Sequence, residues 1–145
     1  MYLRSQSGEM LFLERSIAEK LGLFDALTYC EGSVLDVDFE SESLKFLLQY
    51  YSDIDDEQQI PKPLPFCASF VLTFSNALGT KLIRQASWID RIALRNRISV
   101  WKLFEAANYF HAQKLLDLCS ARLAFEFKSM DENELREVLK LSNDL

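Results

Sequence analysis

A chain of 145 residues, 49% apolar and 12% aromatic, is the size of one domain and can bury a core, which excludes a disordered tail. A formal net charge of -6 argues against a chain that wraps nucleic acid or lies on anionic lipid. Cys30, Cys67 and Cys119 are odd in number and widely spaced, so they read as free or buried thiols in a reducing compartment.

The chain opens with Tyr2-Leu3-Arg4-Ser5 and Glu9-Met10-Leu11-Phe12-Leu13 around Gln6-Ser7-Gly8, the pattern of a β-hairpin whose turn needs the freedom of glycine. No charged-then-apolar secretory leader is expected at Met1 to Ser5. Ile17, Leu21, Phe24 and Leu27 then recur at helical spacing and predict one helix over Ser16 to Thr28. Leu35, Val37 and Phe39 alternate with Asp36 and Asp38, a strand with one wet face. Leu44, Leu47, Leu48 and Tyr51 predict a helix with Ser41 as its N-cap. Asp53 to Glu57 reads as a solvated loop, closed by Pro61, Pro63 and Pro65. Val100, Leu103, Phe104 and Ala107 after Ser99 give another helical stripe, and Leu116, Cys119, Leu123 and Phe127 the next. A last short helix carries Leu135, Val138 and Leu139, with Asp131 and Glu134, or Ser129 and Glu132, spaced as a capping box. The sum is an α+β chain: a small three-stranded sheet with a helical cluster.

Chemical motifs are sparse. One histidine, His111, cannot make a two-imidazole site, and no cysteine has a metal-ligand neighbour, so neither a metal nor a cofactor is expected. No phosphate-cradling glycine loop or nucleophile elbow occurs among the four glycines. A Cys119–His111 dyad is spaced by about two helical turns, yet Cys119 lies on the apolar stripe of its helix and reads as a small buried hydrophobe. The expectation is a protein that is not an enzyme. Lys81, Arg84, Arg91, Arg95, Arg97 and Lys102 form a basic stretch, but only Trp88 and Trp101 interleave as stacking platforms, so the reading is a solvated or acid-facing surface and no nucleic acid. The uncharged run from Pro63 to Thr80 approaches membrane-spanning length; prolines open it and Ser69, Thr73, Ser75, Asn76 and Gly79 interrupt it, so no membrane span is expected.

Against this background, Leu103-Phe104-Glu105-Ala106-Ala107-Asn108-Tyr109-Phe110, followed by Lys114-Leu115-Leu116-Asp117-Leu118-Cys119, resembles the Skp (S-phase kinase-associated protein 1) family, whose helix ends in A-A-N-Y-L before one opening with L-L-D. Ser7-Gly8-Glu9 matches that family's D-G-E turn and Ile17-Ala18 its I-A. Ser43 to Tyr50 is similar to its L-K-K-V-I-Q-W helix, Trp88 and Asp90 to its W-D, and Glu134-Leu135-Arg136 with Asn143-Asp144-Leu145 to its E-E-I-R and N-D-F. Each motif alone is weak, whereas their colinear order is strong. The resemblance implies a BTB/POZ fold over residues 1–128 with a C-terminal helical extension over 129–145 that helps bind an F-box. It implies an adaptor that joins an F-box protein to a cullin in an SCF ubiquitin ligase of the cytoplasm and nucleus. Asn108 and Tyr109 then face the cullin, and Leu116, Leu123, Phe127, Leu135 and Val138 face the F-box. Taken without the resemblance, Asn108 caps its helix and Tyr109 packs locally.

The match has departures. His111 stands where the family usually has Asp, and the sequence stops at Leu145, before the last helix of Skp proteins. The apolar run Phe66 to Leu78 replaces part of an acidic, proline-rich loop. Two other readings follow: a structural subunit that binds F-box-like partners outside degradation, and a BTB module that forms a homodimer in isolation through the run from Phe66.

Overall fold

The computed structural model describes residues 1–26, 29–60, 69–71, 80–128, 130–134 and 136–137, with backbone alone at Asp25, Ala26 and Thr80. β1 (Tyr2–Arg4) lies between β2 (Met10–Phe12) and β3 (Val34–Asp36). It pairs antiparallel with β2, Leu3 opposite Leu11, and parallel with β3, Leu3 opposite Leu35. The hairpin turn forms where expected. Gly8 has φ +91° and donates its N–H to the Ser5 carbonyl at 2.9 Å, a conformation a side chain would strain.

Six helices accompany the strands among the described residues: α1 (Arg15–Ala18) and α2 (Leu23–Ala26) between β2 and β3, then α3 (Ser41–Asp53), α4 (Thr80–Arg95), α5 (Arg97–Tyr109) and α6 (Gln113–Lys128). The fold is therefore α+β, a small sheet with a helical cluster. The expected helix over Ser16 to Thr28 is instead two short ones separated by a turn at Gly22. The reason is not local: a Cβ at Gly22 would sit 2.8 Å from the His111 Cβ, so the chain bends there to let the two backbones meet. Leu27 and Thr28 lie outside the described residues. Ser41 is the first residue of α3 and not its cap, because Glu40 holds the extended capping position without a side-chain bond. α5 begins two residues earlier than Ser99 suggested, since the Asn96 side chain accepts the Ile98 N–H at 3.0 Å.

Leu3, Leu13, Leu21, Leu44, Leu47, Tyr50, Ile89, Leu103, Phe110 and Leu115 fill the core. A polar seam runs through it. Buried Gln85 accepts the Gln58 N–H at 2.7 Å and donates to the Gln58 carbonyl and the Tyr50 hydroxyl, each at 3.3 Å. Tyr50 in turn donates to Glu57 at 2.8 Å. Every polar atom of the Gln85 amide is thus used, which is what makes its burial tolerable. The acidic loop is correspondingly less solvated than its composition suggested. Trp88 donates its indole N–H to Asp53 at 3.1 Å, Lys81 pairs with Asp56, and Arg84 donates to the Asp53 carbonyl at 3.0 Å. The basic stretch faces acids of its own chain: Lys102 pairs with Glu40 at 2.8 Å and Arg97 with Glu126 at 3.5 Å. Among the described residues no helix is long and apolar enough to cross a membrane.

Candidate partner-binding surfaces

The C-terminal end of α5 carries Asn108 and Tyr109. It closes in a Schellman motif: the Ala112 N–H reaches the Ala107 carbonyl at 2.9 Å and the His111 N–H the Asn108 carbonyl at 3.3 Å. The residue that turns left-handed is His111, φ +55°, where glycine is commonest. His, Asp and Asn are the side chains that tolerate this region best, so His111 for Asp is a conformationally matched exchange. The turn is anchored by a segment distant in sequence. Gly22 donates to the His111 carbonyl at 3.3 Å and Leu23 to the Phe110 carbonyl at 3.1 Å. Phe110 is fully buried, its ring centroid 6.4 Å from those of both Phe24 and Phe39. Tyr109 leans edge-on against Phe39 at 5.4 Å yet remains 40% exposed, and Asn108 beside it is exposed. The helix end therefore presents an amide and a supported phenol. Both local packing and an outward surface are realised at once.

A second surface lies at the other end of α5. A cleft of about 650 Å³ opens between the end of α4, the start of α5 and α6, with Ala93, Leu94, Ile98, Trp101 and Leu123 as its apolar lining. Arg97, Arg122, Glu126, Glu134 and Glu137 supply charge around it. Leu94, at the end of α4, is 75% exposed on the rim of the cleft. Arg122 is the keystone of the cleft wall. Its Nε lies 3.0 Å from the Asp90 carboxylate, and its guanidinium stands over Phe70 and Phe125 at 5.6 and 5.5 Å. The Asp131 side chain accepts the Glu134 N–H at 2.8 Å, one of the two caps the sequence offered for the last helix.

The sequence-derived contact residues are not all gathered in this cleft. Leu123 lines it; Leu116 and Phe127 are partly buried against the core instead. The core stripe of α6 runs through Leu115, Leu118, Cys119 and Leu123, so the expected stripe is shifted by one position at its start. Leu135 and Val138 lie outside the described residues, as do Cys67 and the run Phe66 to Leu78 apart from Ser69, Phe70 and Val71. Leu94, Ile98 and Trp101 were missed; the signal available was the break at Asn96, which turns two helix ends toward each other. Cys119 is completely buried, and desolvation pushes its thiol far above the ordinary range, while His111 is exposed on its turn. The thiol is packing, not a nucleophile.

No protein-family model matches the chain. A comparison with curated proteins finds the "S-phase kinase-associated protein 1 homolog" of Tetrahymena thermophila, 26% identical over 147 aligned residues. The alignment spans 98% of this chain and 82% of that protein, so it is colinear from end to end. The chain is similar along its length to that homolog. Its Trp88 and Asp90 have a visible structural task, Trp88 tying α4 to Asp53 and Asp90 tying it to Arg122 of α6.

Proposed function

We propose that this chain is a non-catalytic adaptor that links an F-box substrate receptor to a cullin scaffold in an SCF-type ubiquitin ligase of the cytoplasm and nucleus. In this reading residues 1–128 are a BTB/POZ domain and 129–145 its F-box-binding extension. The observation that carries it is the end-to-end similarity to an S-phase kinase-associated protein 1 homolog, joined to the layout of α5. From Ile98 to Tyr109 a straight helix rises about 17 Å. A cleft flanks its first turn and the Asn108–Tyr109 pair ends it, so two partners can be held apart by one stiff element. Such an adaptor makes and breaks no bond; it raises the local concentration of a substrate near a conjugating enzyme. The F-box surface comprises Leu116, Leu123, Phe127, Leu135 and Val138 together with Leu94 and Trp101 on the cleft, and the cullin surface Asn108 and Tyr109.

Tagged protein recovered from its own cells, with partners identified by mass spectrometry, tests this directly. Wild type should recover a cullin and F-box proteins. Asn108→Ala/Tyr109→Ala should lose the cullin alone, and Leu94→Glu should lose the F-box proteins and, with them, substrates. Recovery of F-box proteins with no cullin from wild type would remove the degradation role and leave a structural subunit.

A further inference from the structure

Six large apolar side chains are conspicuously exposed among the described residues. Leu94 belongs to the cleft and Tyr109 to the end of α5. The remaining four, Tyr2 (38%), Met10 (43%), Phe12 (55%) and Val34 (40%), share the outer face of the three-stranded sheet. They are adjacent by register. Phe12, Tyr2 and Val34 form one cross-strand row, with Tyr2 and Phe12 edge-on at 5.5 Å, and Met10 opens the next row opposite Arg4. Leu3, Leu11 and Leu35 point the other way, toward the core, so the apolar row outside has no helix over it among the described residues. The exposed apolar area is on the order of 300 Å², the scale of a functional patch and well below the half-interface a stable dimer requires.

The unpaired charge at the strand ends is mainly acidic. Arg4 pairs with Asp36 at 3.1 Å across the strands and Lys45 with Glu9 at 2.9 Å, while the guanidinium of Arg15, which follows Glu14, stands over the Tyr29 ring at 5.0 Å. Three exposed carboxylates at the strand ends, Glu14 after β2, Glu31 before β3 and Asp38 after β3, have no ion-pair partner among the described residues. A second copy would bring the same acids to the same rim, and a polynucleotide or anionic lipid would be repelled by it.

We propose that the outer sheet face is a third docking surface, independent of the two at the ends of α5, and that it takes an amphipathic helix of a partner protein with an apolar stripe flanked by Lys or Arg. The aromatic row supplies the apolar contact, a helix lying about 10 Å above the sheet. The carboxylates at the strand ends meet the flanking cations and set the salt dependence of the contact.

A labelled synthetic peptide of about 18 residues, alternating leucine and lysine at helical spacing, is the probe, titrated against the full chain by fluorescence anisotropy. It should bind saturably, more tightly at low salt, and about tenfold better than the same peptide with glutamate for lysine. Phe12→Ser/Val34→Ser should weaken it by about tenfold or more, and Leu94→Ser should leave it unchanged. Should the double variant melt abnormally by circular dichroism, Glu14→Gln/Asp38→Asn replaces it, with loss of the salt dependence expected. Equal binding of the glutamate peptide, indifference to both sets of variants, or an equal loss in Leu94→Ser would overturn the proposal. So would a concentration-dependent dimer in light scattering that Phe12→Ser/Val34→Ser abolishes, which would give the face to a second copy.

Discussion

At its C-terminal end α5 is tied down by a Schellman turn, by two hydrogen bonds from Gly22 and Leu23, and by the burial of Phe110 between Phe24 and Phe39. At its N-terminal end the same helix borders an open cleft whose walls are held by ion pairs, Arg122 with Asp90 and Arg97 with Glu126, and whose rim leaves Leu94 in solvent. One end is fixed by close packing and the other by charges with water at hand. A close-packed end can present one shape only, whereas a charged, open one can adjust to several sequences. Under the adaptor function proposed above the division is apt: a scaffold partner of constant shape would suit the first end, and exchangeable receptors the second.

This contrast can be broken by removing what holds each end. Phe110→Ala should have the largest effect, a loss of about 3–5 kcal/mol in urea unfolding, because it empties the aromatic stack that the turn is built on. Arg122→Ala should cost less, about 2 kcal/mol, since Asp90 and Glu126 are partly exposed and water can replace the guanidinium. Near-equal losses would mean that the cleft end is as tightly determined as the other. The smallest effect concerns pH. Glu57 lies against the closed end, where Lys114, next after the turn, donates to its carbonyl at 3.3 Å. Burial raises its carboxyl above the usual range, against the lowering influence of the Tyr50 hydroxyl, Lys114 and Lys20. A carboxyl with a raised native pKa keeps its proton longer in the folded chain than in the unfolded one. Stability therefore falls as pH climbs from the unfolded value through the raised one. Glu57→Gln should flatten that slope and stand above wild type at neutral pH, as unfolding between about pH 4 and 8 would show.

Much of this architecture was legible in residue pattern. The hairpin at Gly8, the α3 stripe of Leu44, Leu47 and Tyr51, and the Asp131 cap all depend on neighbours within a few residues, which is the range that spacing and turn chemistry report. The break at Gly22 depends on His111, so no local pattern could reveal it. The start of the α6 core was misjudged by one residue because leucines at 115 and 116 satisfy the helical period equally, and only packing against α5 chooses Leu115. The exposed sheet face was hidden for a similar reason. Apolar residues stand on both sides of β1 and β2, so alternation could not say which side faced water. Of the candidate site, Asn108 and Tyr109 were readable as a helix end, while the cleft exists only where three helices converge.

The clasp between Gly22 and His111 joins segments that leave the ribosome far apart in time. The amino-terminal strands and α1 emerge early and must wait, their groove for the turn vacant, until α5 and the residues after it have been made. Asn108 and Tyr109 thus reach their final presentation only after synthesis has passed Ala112. A prematurely ended product would carry no formed surface at this place, and could not compete with finished molecules for whatever binds there.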